Sequence, residues 1–172
     1  MGRFFTIKLL ALMMPLFLYP AADVHAAEKS ANARTVAFYG FRLINTSIEP
    51  AGEPEFNRIR LLDKFMSEWL DKSQQFKRIE IPAELIKEAK TKQPFGQCDC
   101  EAEFGKKAGG TLVGWGTVER VSNLILNINL YIAESETNKF VFIKSVDIRG
   151  NNDKAWLRGL RWMLKNYLVN LK

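Results

Sequence analysis

The chain has 172 residues, of which 47% are hydrophobic, and a formal net charge of +6 at pH 7. This length and apolar content suit one domain with its own hydrophobic core. The charges are interspersed and form no clustered basic face with aromatic platforms, so we expect no nucleic-acid partner.

An export signal is the most specific feature at the start of the chain. Arg3 and Lys8 precede an apolar run at residues 9–19, which is too short to span a bilayer comfortably, and small residues lead up to Ala26. The alternative interpretation is an uncleaved anchor. We predict three segments, namely a cleaved signal peptide at 1–26, a flexible mature N-terminus at 27–33 and a single domain at 34–172. The mature protein is expected in the periplasm, without a stable membrane span.

Cleavage after Ala26 also removes His25, which is the only histidine of the sequence. The mature chain then has no imidazole for a Ser–His or Cys–His nucleophile system, for a zinc or haem site, or for proton transfer near neutral pH. We therefore expect a protein that is not an enzyme and that holds no cofactor and no metal.

Hydrophobic periodicity predicts the element order β-α-β-α-α-β-β-β-α. The predicted elements are strands at 35–43 and 76–81, helices at 55–72, 82–90 and 98–108, three strands within 110–150, and a last helix to about residue 171. This order indicates an α/β (α+β) fold, a single mixed sheet of about five strands with helices packed on it.

The segment 110–150 is predicted to be a three-stranded antiparallel meander at the heart of the sheet. In residues 124–132 the even positions are all apolar, whereas the odd positions include Asn127, Asn129 and Tyr131. Because side chains alternate along a strand, we predict one apolar face and one mixed face. Both asparagines are expected to face solvent or a polar groove that could bind a partner. The run 140–148 is apolar on both faces, which predicts a strand covered on both sides.

Glycines mark two positions of interest within the predicted strands. Gly40 is a candidate β-bulge. Gly114 and Gly116 flank Trp115, and paired glycines in a strand indicate the close approach of another element. We expect a packed helix there, with a bound ligand as the alternative, so Trp115 is a candidate binding residue.

Cys98 and Cys100 are the pair of residues in the chain with the clearest potential for chemical reactivity. An exported compartment is oxidising, so two thiols tend to pair there. The spacing is not the Cys-x-x-Cys of redox motifs. Three interpretations stay open, namely a structural or incidental pair, pairing with a partner, and redox or metal chemistry.

Two loops at strand ends carry polar candidates. Arg42, Thr46 and Ser47 lie at the carboxyl end of the first strand, where ligands often bind in open α/β sheets, and could hold an anion. Asp147 and Asn151 belong to an oxygen-rich stretch that could take a hard cation. The alternatives are an ordinary turn at the first loop and, at the second, a cap on the last helix supplied by residue 152 or 153.

Several fragments carry a resemblance to a known family. They are TVAFYGFRLINTS, CDCEAEFGKKAGGTLVGWGTVERVSNLILNINLYI and SVDIRGNNDKAWLRGL, and together they span nearly all of the mature chain. The chain resembles a family of secreted bacterial proteins of unknown function. More distantly, the element order and the run GGTLVGWG are similar to the amino-terminal domain of TolB and to curli-secretion and penicillin-binding-protein-activator modules.

The resemblance implies a periplasmic interaction module rather than a catalyst. It also implies a Cys-x-x-Cys-like pair where this chain has Cys98-Asp99-Cys100, and an association with quinoprotein alcohol-oxidation systems. The leading hypothesis is a non-enzymatic accessory protein that binds an envelope or periplasmic protein through the polar meander face and the strand-end loops. The alternatives are a thiol-dependent redox or metallochaperone role in cofactor or quinoprotein biogenesis, and a small-ligand or anion binder at Arg42, Thr46 and Ser47.

Overall fold

The computed structural model describes residues 33–91 and 95–171. The predicted signal peptide and most of the predicted flexible N-terminus lie outside the described residues. The strands β1 to β5 are Arg34–Asn45, Phe76–Arg78, Leu112–Arg120, Leu126–Glu134 and Phe140–Ile148, and the helices α1 to α4 are Glu53–Lys72, Ala83–Thr91, Glu101–Lys107 and Asp153–Asn166. A short 3-10 turn, Leu168–Asn170, follows α4. Within the described ranges, no helix has the length and apolar character needed to cross a membrane.

The five strands form one mixed sheet in the order β2-β1-β3-β4-β5. β1 runs parallel to β2 and to β3, whereas β3, β4 and β5 form an antiparallel meander. The predicted element order and the predicted α+β class are therefore confirmed. The meander occupies one side of the sheet, with β3 and β4 inside and β5 at the edge.

β5 differs from the strand that the sequence predicted. Five of its nine residues are exposed, among them Ile143 and Ser145. The prediction of a strand covered on both faces is wrong, because β5 has a strand neighbour on one side only and only α4 among the helices contributes an extensive contact with it.

The main hydrophobic core lies between the sheet and the helices α1 and α4. The even positions of β4 from Leu126 to Ile132 are at most 1% exposed and pack into this core, as their alternation predicts. Their helical neighbours include Leu62, Met66 and Leu70 of α1 and Trp156, Leu160 and Met163 of α4. Leu124, which the same alternation placed on this face, is 73% exposed because β4 begins only at Leu126.

A β-bulge at Gly40 shapes the contact between β1 and β3. Gly40 has a φ of +84°, and the register shifts between Phe38 and Phe41, which confirms the predicted bulge. Phe38 pairs with Gly114 and Phe41 with Gly116, and a Cβ atom at Gly116 would overlap the Phe41 ring. The element that approaches these glycines is thus the neighbouring strand, not the helix or ligand that we expected.

The opposite face of the sheet is covered in part by α2 and α3. Beneath these helices an aromatic cluster connects Tyr39, Phe95, Phe104 and Trp115. It continues to Tyr131, which stacks on Trp115 with 5.4 Å between ring centroids, and to Phe140 of β5. Beyond Tyr131 the face continues as mostly polar residues.

Truncation of two leucines two positions apart tests the core assignment. We expect Leu126→Ala to lower the free energy of unfolding by about 2–5 kcal/mol, because it leaves a cavity between the sheet and the helices. The matched control Leu124→Ala removes the same atoms from an exposed position and should change it by less than about 0.5 kcal/mol. Urea unfolding of both variants decides the point, and equal losses would contradict the assignment.

Asp63 of α1 makes the stability of the bulge dependent on pH. Its carboxylate accepts a hydrogen bond from the backbone N–H of Phe41 at 2.6 Å. Burial raises the pKa of Asp63 from 3.8 to about 6, and the Phe41 hydrogen bond and the charge of Lys90 lower it only in part. Because the folded-state pKa is the higher one, the stabilisation by the protonated form is complete below about pH 4 and is lost as the pH rises through about 6.

We therefore expect Asp63→Asn, which keeps an oxygen for the Phe41 N–H, to remove this pH dependence. Between pH 4 and 6 the wild type should lose up to about 1.4 kcal/mol per pH unit relative to the variant. Urea unfolding at several pH values measures the difference. Identical pH slopes in the two proteins would contradict the raised pKa.

Candidate functional site

Two cross-strand rows of mostly polar side chains continue the second face of the sheet beyond the aromatic cluster. The strand registers align Arg42, Thr117, Asn129 and Ser145 in one row and Ile44, Glu119, Asn127 and Asp147 in the next. We call these two rows the polar face. The structure thus brings six of the candidate binding residues onto one side of the sheet, namely Arg42, Trp115, Asn127, Asn129, Tyr131 and Asp147.

The two asparagine amides of the polar face make hydrogen bonds to side chains on the neighbouring strands. Asn129 Nδ2 donates to Thr117 Oγ1 at 3.1 Å, Asn127 Nδ2 donates to Asp147 Oδ1 at 2.7 Å, and Ser145 Oγ donates to Asn127 Oδ1 at 2.7 Å. Asn127 is half-buried, whereas Asn129 is only 8% exposed and does not face solvent. These hydrogen bonds tie β3, β4 and β5 together and make the polar face a rigid support.

The outer edge of β5 and helix α4 enclose a groove that the sequence analysis did not identify. Its cavity volume is about 580 Å³, and its lining includes Val146, Arg149, Arg158, Gly159 and Trp162. Gly159 allows the close approach of α4 to the sheet, because a Cβ atom there would overlap Ile148. The side chains of Arg149 and Arg158 make no ion pair with any described residue. In the sequence, two arginines point to this groove. Arg149 directly follows the last strand, and Arg158 lies in the second turn of the last helix.

The strand-end loops are organised by Arg120, a buried cation at the end of β3. Arg120 is 3% exposed, and its guanidinium donates to Glu49 Oε2 at 2.8 Å, to Asn123 Oδ1 at 2.9 Å and to the carbonyl of Glu49 at 3.1 Å. Thr46 Oγ1 donates to the carbonyl of Arg120, and Ser47 Oγ donates to the carbonyl of Glu49. Both hydroxyls predicted to hold an anion are therefore engaged within the protein.

Arg42 stands apart from Thr46 and Ser47. Its side chain lines a cleft beside the β1 bulge together with Lys90 of α2. The structure does not bring the three predicted anion ligands into one site. Arg42 lies within β1, whereas Thr46 and Ser47 belong to the loop after β1, which folds over Arg120.

The network around Arg120 continues to Asn151 in the turn before α4. Asn151 Nδ2 donates to Asn123 Oδ1 at 3.0 Å and to Glu55 Oε1 at 2.6 Å. Burial alone would raise the pKa of Glu55, but hydrogen bonds from the Gly52 backbone and from Asn151 outweigh it and hold the pKa below its ordinary value. Asn152 Oδ1 accepts from the backbone N–H of Ala155, so the predicted cap on the last helix is confirmed.

Cys98 and Cys100 form a disulfide with each other. Asp99 between them has a φ of +55°, and the helix predicted from residue 98 therefore begins only at Glu101. Glu101 is 4% exposed, accepts a hydrogen bond from Gly96 N and lies 3.4 Å from Cys98 Sγ. The ligand atoms of the two cysteines and Glu101 lie within 4.8 Å of one another, so a metal could use them only after reduction of the disulfide.

Replacement of Arg120 tests whether the strand-end network stabilises the fold. Arg120→Leu leaves buried oxygens of the loop without a donor, and we expect a loss of roughly 3–5 kcal/mol in the free energy of unfolding. The matched control is Arg78→Leu, which breaks the more exposed pair of Arg78 with Asp71 at 2.8 Å. It should cost less than about 1 kcal/mol. Comparable losses in urea unfolding would contradict the role assigned to Arg120.

Solved structures of other proteins share this fold. The hypothetical protein CT253 from Chlamydia trachomatis aligns with a TM-score of 0.53 at 11% identity over 81% of this chain and 97% of that chain. The LpoB C-terminal domain from Salmonella enterica gives 0.49 at 9% identity over 69% and 84%. TolB from Acinetobacter baumannii gives 0.43 at 10% identity over 80% of this chain and 28% of that chain. Of these alignments, the one with CT253 has a TM-score above 0.5, and it shows a shared fold alone.

Sequence comparison gives the family. No curated protein sequence matches the chain. A family model described as "Protein of unknown function (DUF2380)" matches residues 34–168, which include every strand and helix described above. The chain therefore belongs to this family of proteins of unknown function.

Proposed function

We propose that this protein is a non-enzymatic accessory protein of the cell envelope, and that it binds a protein partner by adding an extended segment of that partner to the outer edge of β5. The observation that carries the proposal is the outer edge of β5, which no other described strand pairs, beside a groove bordered by two arginines that make no ion pair within residues 33–91 and 95–171. The envelope location rests on the predicted export signal.

The two edges of the sheet differ in the length of the strand that forms them. On one side β2 has three residues, and the carboxylate of Asp63 takes the N–H of Phe41 at the β1 bulge. On the other side β5 offers nine residues, Phe140–Ile148, with β4 as their strand neighbour. An edge strand of this length presents a row of unpaired backbone N–H and C=O groups, which is a template for strand addition.

The side chains around this edge favour a partner segment that combines apolar and acidic residues. Ile143 is 53% and Trp162 is 48% exposed, so both offer apolar surface beside the backbone. Arg149 and Arg158 line the groove, and carboxylates on the segment can pair with them. The edge therefore suits an acidic extended peptide.

Charge disfavours a second copy of this chain as the occupant in the register centred on Lys144. Antiparallel pairing of two β5 strands centred on Lys144 would place Lys144 opposite Lys144 and Arg149 opposite Lys139. Like charges directly opposite each other destabilise strand pairing. A heterologous acidic segment removes this repulsion.

The remaining chemistry supports a binding role over a catalytic one. Residues 33–91 and 95–171 contain no histidine, and the asparagine amides of the polar face are hydrogen-bonded to side chains on neighbouring strands. The hydrogen bonds from Asn127 and Ser145 hold β5 on β4, so the edge is presented on a rigid element.

Site-specific photo-cross-linking in the source cells tests the proposal. A photoreactive residue in place of Ser145 on β5 should give a covalent adduct of one discrete mass, because a segment on this edge lies against it. The same residue in place of exposed Lys64 on α1 should give none. An adduct from position 64 and none from position 145 would contradict the proposed edge.

Charge reversal gives the matched control on specificity. Arg149→Glu combined with Arg158→Glu should abolish the adduct, whereas Lys154→Glu, an exposed position on the same helix, should preserve it. The double variant Cys98→Ser with Cys100→Ser should also preserve it. Loss of the adduct in the cysteine variant alone would favour the thiol-dependent alternative over an interaction role.

A further inference from the structure

We infer that the cleft between the β1 bulge and α2 binds a small aromatic carboxylate. The juxtaposition that carries this inference is an aromatic-walled cleft bordered by two cations, Arg42 and Lys90, neither of which makes an ion pair within residues 33–91 and 95–171. The site lies on the β1 side of the sheet, away from the β5 edge, so it stands independently of the proposed partner binding.

Aromatic rings form the walls of the cleft. Tyr39 stacks on Phe95 with 4.7 Å between ring centroids, and the Phe95 ring meets Trp115 edge to face at 5.5 Å. Trp115 is 3% exposed, so its ring is held in place by the protein. Planar apolar walls of this kind bind a flat ring through stacked and edge-to-face contacts.

The mouth of the cleft carries two cationic side chains that make no ion pair within residues 33–91 and 95–171. The guanidinium of half-buried Arg42 makes no hydrogen bond there, although the guanidinium groups of Arg58, Arg78 and Arg120 all bind carboxylates of the protein. Lys90 makes no ion pair within the same residues either, and its charge acts on the carboxylate of Asp63, whose pKa it lowers in part. A free guanidinium matches the two oxygens of a carboxylate, and an ammonium adds a second charge.

The size of the cleft limits the ligand. Its volume is about 180 Å³, whereas sites for drug-sized molecules measure roughly 300–1,000 Å³. This volume suits a single ring with a carboxylate. The hydroxyl of Tyr39 already donates to the carbonyl of Phe104 at 3.0 Å, so the walls offer few further donors for a fully hydrated anion such as phosphate.

Titration of the mature protein with sodium benzoate tests the inference. We expect saturable binding with a dissociation constant below about 10 mM, as suits a ligand of this size. Inorganic phosphate at the same concentrations should not bind, and cyclohexanecarboxylate should bind more weakly. Absence of saturation by benzoate, or equal binding of phosphate, would overturn the inference.

Substitutions locate the bound carboxylate. Arg42→Gln should weaken benzoate binding by at least about tenfold, because a charge-assisted hydrogen bond is lost. Lys90→Gln, at an exposed position, should weaken it by a smaller factor. The matched control Arg149→Gln removes another arginine without an ion pair and should leave the affinity unchanged. Unchanged affinity in both Arg42→Gln and Lys90→Gln would overturn the inference.

A spectroscopic readout is independent of the charge variants. The indole N–H resonance of Trp115, assigned by its loss in Trp115→Phe, should shift with benzoate, whereas that of exposed Trp162 should not. A shift at Trp162 alone would place the ligand elsewhere. Cross-linking from position 145 should be unaffected by Arg42→Gln, so the ligand site and the proposed partner binding can be tested separately.

Discussion

The burial of one arginine constrains the whole strand-end region. Arg120 is a charge inside the protein, and a buried charge is stable only when it is paired and hydrogen-bonded. Glu49 and Asn123 meet this requirement from the loop after β1 and from the turn after β3. Asn123 in turn binds Asn151, which binds Glu55 at the start of α1. The ends of β1 and β3 and the approaches to α1 and α4 are therefore fixed relative to one another, and with them the register of the sheet.

The helices cover the two faces of the sheet to different extents, and both proposed sites depend on that difference. α1 and α4 cover one face with a continuous core, whereas α2 and α3 cover only part of the other. The bulge at Gly40 turns the residues after it, so that Arg42 borders the cleft under α2. The disulfide between Cys98 and Cys100 and the hydrogen bond from Gly96 N to Glu101 shape the loop next to Phe95. The cysteine pair therefore stabilises the local structure beside that cleft.

Local patterns in the sequence determined a large part of this architecture. The order of elements, the apolar even positions of β4, the bulge at Gly40 and the cap at Asn152 each depend on residues within a few positions of one another. Periodicity, positive φ and capping are short-range physics, so one sequence is enough to predict them. The same short-range patterns placed Trp115, Asn127 and Asp147 on strands, whereas the register between the strands brings them to one face of the sheet.

Only the tertiary structure decided which strand lies at the edge, because pairing joins residues that are distant in sequence and leaves no local signal. β5 has the apolar composition of an interior strand and is nevertheless exposed. For the same reason the sequence did not predict that Asn129 is buried against Thr117 or that the neighbours of Gly116 belong to β1. The sequence grouped Arg42 with the adjacent loop because they are close along the chain. The three-dimensional fold groups it instead with Lys90, because the bulge and α2 bring their charges to the same cleft.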